Sequence, residues 1–438
     1  MLKFIAKRIF YGLLVLFGVV TIVFFLFNVL PGDPARMMLG QHAEQKLLDA
    51  INKDLGRDKP LAVQYLVYLN DLSPISIHDV ADPDNHLYLN PKKYTATKLF
   101  NVSSSKAIVL KYPYLRKSYI NKRKVSEIII EKLPATAILA VASIVIASCL
   151  GIVLGIFAAI NKNSLFDRSS LVFAVLGMAG PSFFIGIIIA MMFGYFWTKE
   201  FPFPLLFIVI YLLWAIGVFI RDYLRAKKNI YSELKIRSLI LGALWKSILW
   251  SVIVWMVVYT LNKFFHVPFP LIDYYFQLPG TGLNNQGSIF KVDDLGNETL
   301  MLKNLILPAV TLGIRPLAIV IQLTRSSMLD VLSQDYIRTA RAKGLSYYSI
   351  VVKHALKNAL NPVITAISGW FAGLMAGAVF VEHIFDWKGI GSEIVEALFK
   401  QDLPVLMGCV LVAGLVFVIT NILVDLIYGM LDPRVRLQ

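Results

Sequence analysis

Six histidines (His42, His78, His86, His266, His354 and His383), two cysteines and 28 carboxylates are the groups with which this 438-residue chain would bind a metal or move a proton. No two histidines stand four residues apart and none has a cysteine beside it, so metal ligation is not expected. Cys149 and Cys409 both lie in long apolar runs, where they read as small hydrophobes and not as a disulfide framework. Gly282-Leu-Asn-Asn-Gln-Gly287-Ser288 has the glycine spacing of a phosphate loop but lacks the lysine that reaches the β and γ phosphates. No nucleophile is set next to a base. The chain is therefore expected to be neither an enzyme nor a cofactor carrier, and any hydrolysis that drives it has to occur in a partner.

The elements available to position functional groups follow from composition. Hydrophobic residues make up 57% of the chain and charged residues only 16%, against roughly 25% charged in soluble domains. With a mean hydropathy of +0.66, a water-soluble globule is excluded. A bilayer-spanning helix needs about 20 mostly apolar residues. Such runs lie near Ile9 to Leu30, Pro134 to Ile160, Ser169 to Trp197, Ile306 to Leu323, Ala359 to Val381 and Pro404 to Met430. Two further runs lie near Pro204 to Ile220 and Leu239 to Leu261. The first run is too long for the apolar region of a secretory signal, and Asn28 to Pro34 offers no small-x-small cleavage site, so it is expected to be a retained helix.

A net charge of +15 would suggest nucleic acid in a soluble chain, but in a membrane protein an excess of Lys and Arg marks cytoplasmic loops. Lys3, Lys7 and Arg8 place the N-terminus inside. Counting crossings from there puts Lys162 and Arg168, the Arg221 to Arg237 loop, the Arg325 to Lys357 segment and the tail with Arg434 and Arg436 inside as well. The acidic stretch Glu382 to Asp402 falls outside. Lys111 to Lys124 is basic yet external, which is tolerated because long loops translocate largely regardless of charge. Its basic edge reads as solvated or facing headgroups of the membrane lipid. The expected organisation is a first transmembrane helix over 1–30, an external domain over 31–130 and transmembrane helices 2 and 3 over 131–198. A transmembrane hairpin over 199–262, an external loop over 263–302 and a helical core over 303–438 follow, the core holding a cytoplasmic loop at 324–358. Both termini are cytoplasmic in this reading.

That loop is the most informative segment. Tyr336 to Lys343 has no Gly or Pro, with Ser333 and Asp335 as possible N-caps and Gly344 where a C′ glycine stops a helix. A second helix from about Ser346 to Leu360 then leads back to the membrane before Pro362. This describes either an ordinary solvated basic loop or a short surface helix, held between longer ones, that transmits force from a docked soluble partner.

Asp335-Tyr-Ile-Arg-Thr-Ala-Arg-Ala-Lys-Gly-Leu-Ser346, followed by Lys353-His-Ala-Leu-Lys-Asn-Ala-Leu-Asn-Pro-Val-Ile364, resembles the coupling loop of the oligopeptide and dipeptide (peptide/nickel) branch of ABC-importer permeases. Phe27-Asn-Val-Leu-Pro-Gly-Asp-Pro34, Glu382-His-Ile-Phe-Asp-Trp-Lys-Gly-Ile-Gly391 and Leu426-Ile-Tyr-Gly-Met-Leu-Asp-Pro-Arg-Val-Arg-Leu437 resemble the first, B-type, permease subunit of that branch. The resemblance implies an all-α polytopic membrane protein with a type I permease core of six helices. It also implies transport of peptides across the cytoplasmic membrane, with a homologous second permease, two ABC ATPase subunits and an external substrate-binding protein as partners, and no nucleic acid. A nickel-chelate or other small solute is the alternative substrate within the family. Aligning Gly344 with the glycine of the general importer loop places Arg338, Thr339 and Ala340 at its Glu-Ala-Ala positions and Leu356-Lys357 at its distal Leu-Pro. The Glu and Pro are thus absent, as the peptide branch also shows. The implied ATPase-coupling residues are Asp335, Tyr336, Arg338, Thr339, Ala340, Arg341, Ala342, Lys343, Gly344 and Leu345, with Ala340 against the partner's surface. The hairpin over 199–262 exceeds the six-helix pattern and reads as a peripheral addition. An ion-driven secondary transporter would instead need internal repeats and paired mid-membrane carboxylates, and neither is evident.

Charges within a span are costly and are functional candidates by default. Arg315 lies mid-way along its apolar run, beside Pro316, and would either face the pore to hold a peptide carboxylate or pair with a neighbouring helix. Asp425, near the inner end of the last run, is expected to pair structurally with Arg434.

Overall fold

The computed structural model describes residues 2–29, 59–82, 85, 87–91, 93–103, 105–196, 302–376 and 378–431, with shorter pieces between 210 and 264 and at 290–292 and 298–300. The sequence expectations for Pro31 to Pro34, the Arg221 to Arg237 loop, Gly282 to Ser288 and the tail with Arg434 and Arg436 lie outside the described residues. The chain divides into two compact units, Met1–Ser148 with Asn361–Gln438, and Cys149–Leu360.

In the first unit, α1 (Leu2–Val29) packs along α12 (Leu403–Leu431). Gly12 lies against Val418 and Ile422, and Gly414 against Val19, so the two helices approach where a Cβ would collide or crowd. At one end of the pair Arg8 and Asp425 form an ion pair at 3.0 Å. Asp425 is thus tied to Arg8 on the neighbouring helix; Arg434, the partner expected from sequence, lies outside the described residues. A short helix, α2 (Leu61–Leu72), joins its Tyr65 and Tyr68 to Phe24 of α1 in an aromatic cluster, and Tyr65 Oη lies 2.6 Å from Thr21 Oγ1. Val125, Ile128 and Ile129 at the start of α3 (Val125–Ile160) fill the same core with Val405, Leu406 and Cys409 of α12.

The segment between α2 and α3 adds β-structure to the helical frame, in a region to which composition alone assigned no fold. Strands β1 (Ile75–Asp79), β2 (Ala96–Asn101) and β3 (Lys106–Lys111) form an antiparallel sheet in the order β1-β3-β2. Alternation along β3 buries Ala107, Val109 and Lys111 on one face. The Lys111 ammonium donates to the Asp71 carbonyl oxygen at 2.6 Å, and burial lowers its pKa to about 8. Beyond the sheet, Asp402 accepts from Ser118 Oγ and from the Tyr119 amide at 3.1 Å, which ties the chain entering α3 to the start of α12.

In the second unit, the later part of α3 packs against α6 (Ile306–Leu332). Gly151 and Gly155 sit over Val320 and Thr324, with the carbonyls of Leu317 and Ile321 within 3.3 and 2.9 Å of where a Cβ would stand. This Gly-xxx-Gly spacing lets two apolar helices meet backbone to backbone. The run expected as one span from Ser169 to Trp197 is instead two helices, α4 (Leu165–Ala179) and α5 (Ser182–Ile189), bent by 110°. Gly180 and Pro181 are both extended, because a proline lacks the N–H that would continue the ladder and disfavours helical geometry in the residue before it. Hydropathy averaged over a window passes through such a break unseen.

Four described helices are long and apolar enough to cross a membrane: Ala6–Leu26, Val125–Ile160, Ile306–Leu332 and Leu403–Leu426; the bent pair makes a fifth if it counts as one span. The run expected from Ala359 to Val381 forms α9 (Leu356–Met375), which ends earlier, and a separate α10 (Val379–Ile384). Ala378, at φ −92° and ψ 62°, breaks between them. The two runs near Pro204 to Ile220 and Leu239 to Leu261 are helical where described, and Trp214 and Trp250 stand 5.4 Å apart by ring centroid.

Candidate functional site

The basic loop folds as a helix with two faces. In α7 (Asp335–Ala342), Ile337 is fully buried and Ala340 is 6% exposed. Three residues apart, they share one side and pack with Ala159 of α3, Met328 of α6 and Ala359 of α9. Ile350, Val351 and Ala355, from the π-helical turn Ile350–Ala355 between α8 (Tyr347–Ser349) and α9, complete the cluster. Asp335, Tyr336, Arg338, Thr339, Arg341, Ala342, Lys343, Gly344 and Leu345 are exposed. Ala340 therefore does not lie on the outer surface where a partner would meet it; it anchors the helix to its own chain. Ile337, which the family pattern did not single out, is the larger anchor, and its apolar i, i+3 pairing with Ala340 amid charged residues was the signal for it.

The helix ends where the glycine predicts. Gly344 takes φ +72°, the Leu345 amide donates to the Ala340 carbonyl at 3.3 Å and the Gly344 amide to Arg341 at 3.0 Å. These are the 6→1 and 5→2 bonds of a Schellman cap. At the other end the N-cap is Gln334, with no side-chain bond. Of the two expected caps, Ser333 instead donates to the Asp330 carbonyl at 2.7 Å, and Asp335 meets Arg338 at 3.3 Å. Asn358 donates to Tyr336 Oη at 2.8 Å, bracing α7 against α9. What α7 offers outward is a short cationic ledge of Arg338, Arg341 and Lys343 on an apolar root.

A buried ion pair locks α6 to α4. Asp167 is 1% exposed and takes both Nε and Nη2 of Arg325, the latter at 2.8 Å. Asp167 is itself fixed at the first turn of α4, where its amide donates to the N-cap Ser164 Oγ at 3.1 Å and its Oδ2 accepts from Asn163 N at 2.8 Å. Arg325, counted from sequence as a loop charge, is thus neutralised within the fold.

In the first unit, the Glu382 to Gly391 motif forms a knot. Glu382 is fully buried; its Oε1 accepts from Thr136 Oγ1 at 2.9 Å, and its Oε2 from the amides of Gly391 at 2.7 Å and Ser392 at 3.2 Å. The carboxylate thereby caps α11 (Ile390–Phe399) at the end where the helix dipole favours negative charge. Thr136 Oγ1 also accepts from Ile390 N at 2.8 Å, and Trp387 Nε1 donates to the Ala135 carbonyl at 2.9 Å. Burial raises the Glu382 pKa against the pull of these donors. Gly389 touches Glu382 and Thr136 so closely that a Cβ would displace both.

Arg315 is part-buried on α6, and its Nη2 lies 3.5 Å from the Met178 carbonyl, in the last turn of α4 before the bend. Gly177 packs on Ile314 and Ala318, which brings that turn within reach. Among the described residues, no carboxylate pairs with Arg315.

The family described as binding-protein-dependent transport system inner membrane component matches residues 151–261 and 249–437, and a companion N-terminal family of binding-protein-dependent transport membrane components matches 1–82. The chain is 30% identical over 442 residues to the di/tripeptide transport system permease protein DppB of Pseudomonas aeruginosa, covering all of both chains. It is 29% identical over 437 residues to the dipeptide transport system permease protein DppB of Escherichia coli K12, covering all of this chain and 99% of the relative. With the dipeptide transport system permease protein DppB of Haemophilus influenzae it shares 54% identity over 134 residues, 31% of this chain and 40% of the relative.

Proposed function

Because the chain belongs to the family of binding-protein-dependent transport system inner membrane components, we propose that it is the B-type permease subunit of an ATP-driven importer of dipeptides or oligopeptides. The peptide substrate is suggested by the full-length relatives, whose names specify dipeptides and tripeptides. In this reading a homologous second permease completes the pathway, two ATPase subunits dock from the cytoplasm and an external binding protein delivers the peptide.

One observation carries the coupling role: α7 is rooted by Ile337 and Ala340 in the cluster that holds α3, α6 and α9, so a push on its cationic face passes directly to membrane helices. Closure of the ATPases displaces Arg338, Arg341 and Lys343, and the rooted helix carries that displacement into α6 and α9. An unrooted loop would absorb the same motion. Reversing the ledge charges in Arg338→Glu/Arg341→Glu is expected to leave insertion and thermal stability unchanged, since both side chains are exposed, while ATPase copurification falls at least tenfold. Normal copurification with normal substrate-stimulated hydrolysis would place coupling elsewhere.

The proposal includes orientation: both termini and the Arg221 to Arg237 loop cytoplasmic, and the segment between α1 and α3 external. In a Cys149→Ser/Cys409→Ser background, an impermeant thiol reagent applied from outside should label a cysteine at Asn90 and miss one at Asn229. The opposite pattern would overturn the eight-span arrangement.

A further inference from the structure

We propose that Arg315 is the permease's recognition residue for the substrate's carboxylate, and that the bend between α4 and α5 is the place where it receives that group. The inference rests on the peptide-importer reading and names the part of the substrate it holds. The apolar stretch of α6 runs from Ile306 to Leu323, which at 1.5 Å per residue puts Arg315 about 13 Å from one end and about 12 Å from the other. A guanidinium at that depth is expensive unless it is paired or serves a pathway. It has five N–H donors, and among the described residues its one bond is to the Met178 carbonyl at 3.5 Å, the outer limit of a hydrogen bond. The ion pairs of Arg325 on the same helix and of Arg8 on α1 show what a structural solution looks like. Arg325 takes Asp167 with two nitrogens and Arg8 takes Asp425 at 3.0 Å. Arg315 has no such carboxylate among the described residues.

Its neighbour is suited to an exchange of partners. The break at Gly180 and Pro181 ends α4 inside the apolar run and leaves its last carbonyls without intrahelical donors. Arg315 supplies one of them from the side, held there by the close approach at Gly177. A carboxylate would offer the guanidinium two short parallel bonds in place of one long one, and taking it would loosen the tie between α6 and the end of α4. Substrate occupancy and the hold on the bend are therefore linked through one side chain. No covalent step is involved.

The test uses the whole importer, with its binding protein, reconstituted in vesicles, and alanine peptides of two to five residues with either a free or an amidated C-terminus. At saturating binding protein and peptide, the free-acid to amide ratio of uptake is compared between variants, so that selectivity due to the binding protein cancels. Arg315→Met is expected to lower that ratio about tenfold, as loss of a carboxylate pair implies, and Arg315→Lys to restore part of it. Equal ratios in the wild type and in a monodisperse Arg315→Met complex would overturn the proposal. So would a fall in uptake of acid and amide by the same factor together with a lowered thermal midpoint, because that marks a purely structural tie. If the wild-type importer takes up neither form, the peptide reading itself fails, and this inference falls with it.

Discussion

Replacing Asp167 with alanine should destabilise the protein by about 3 to 5 kcal/mol, the cost of leaving one member of a buried ion pair without its partner. The site meets the conditions for so large an effect. Asp167 is almost wholly buried, Arg325 is 19% exposed at its side chain, and the contact is bidentate. The alanine also removes the acceptor for the Asn163 amide at the first turn of α4. A double replacement, Asp167→Leu/Arg325→Met, removes both charges and should recover most of the loss, since apolar pairs of similar volume substitute well for buried ion pairs. Thermal or denaturant unfolding of the purified protein, read as a double-mutant cycle, measures the coupling directly. A destabilisation below about 1 kcal/mol for Asp167→Ala, the range of exposed pairs, would mean that water reaches Arg325.

The Asp167–Arg325 pair also marks where sequence reading stops. Its members lie 158 positions apart, and a single sequence contains nothing that joins a carboxylate at the start of one helix to a guanidinium late in another. Thr136 and Glu382, 246 positions apart, are a second case. The Glu382 motif was visible as a resemblance, but its chemistry, a carboxylate capping α11 at Gly391 and Ser392, exists only after the fold brings Thr136 beside it. Local rules fared better. Gly344 stops α7 because φ near +70° excludes most side chains, and that constraint is written in one residue. The apolar runs located α1, α3, α6 and α12 because burial in lipid requires length and hydropathy and little else. The same property hid the bend at Gly180 and Pro181, where average hydropathy stays high while the backbone turns. The three-stranded sheet was also hidden, since its strands are short and β2 is exposed along nearly its whole length.

Ala340 gives a sharper test of how α7 is built. The family pattern places it against the ATPase; packing places it among Met328, Ile350 and Ala355. The two placements predict different failures for Ala340→Asp. A carboxylate at a partner-facing site would repel the ATPase and leave the permease intact. At the site described here it enters an apolar cluster with no donor provided for it, which costs several kcal/mol and forces the group either to neutralise or to leave. The side chain leaves by lifting α7 off its root, and Ile337 goes with it, exposing the cluster that links α3, α6 and α9. The expected result is a permease that inserts but whose α7 amides exchange with solvent at least a hundredfold faster, with proteolytic nicking at Arg338, Arg341 or Lys343 and loss of ATPase association as a consequence. Ala342→Asp, two residues along and exposed, should leave that exchange unchanged. Hydrogen exchange resolved over 335–345 decides between the two. Wild-type protection in Ala340→Asp, combined with lost ATPase binding, would mean that Ala340 meets the partner and that α7 is held by Ile337 alone.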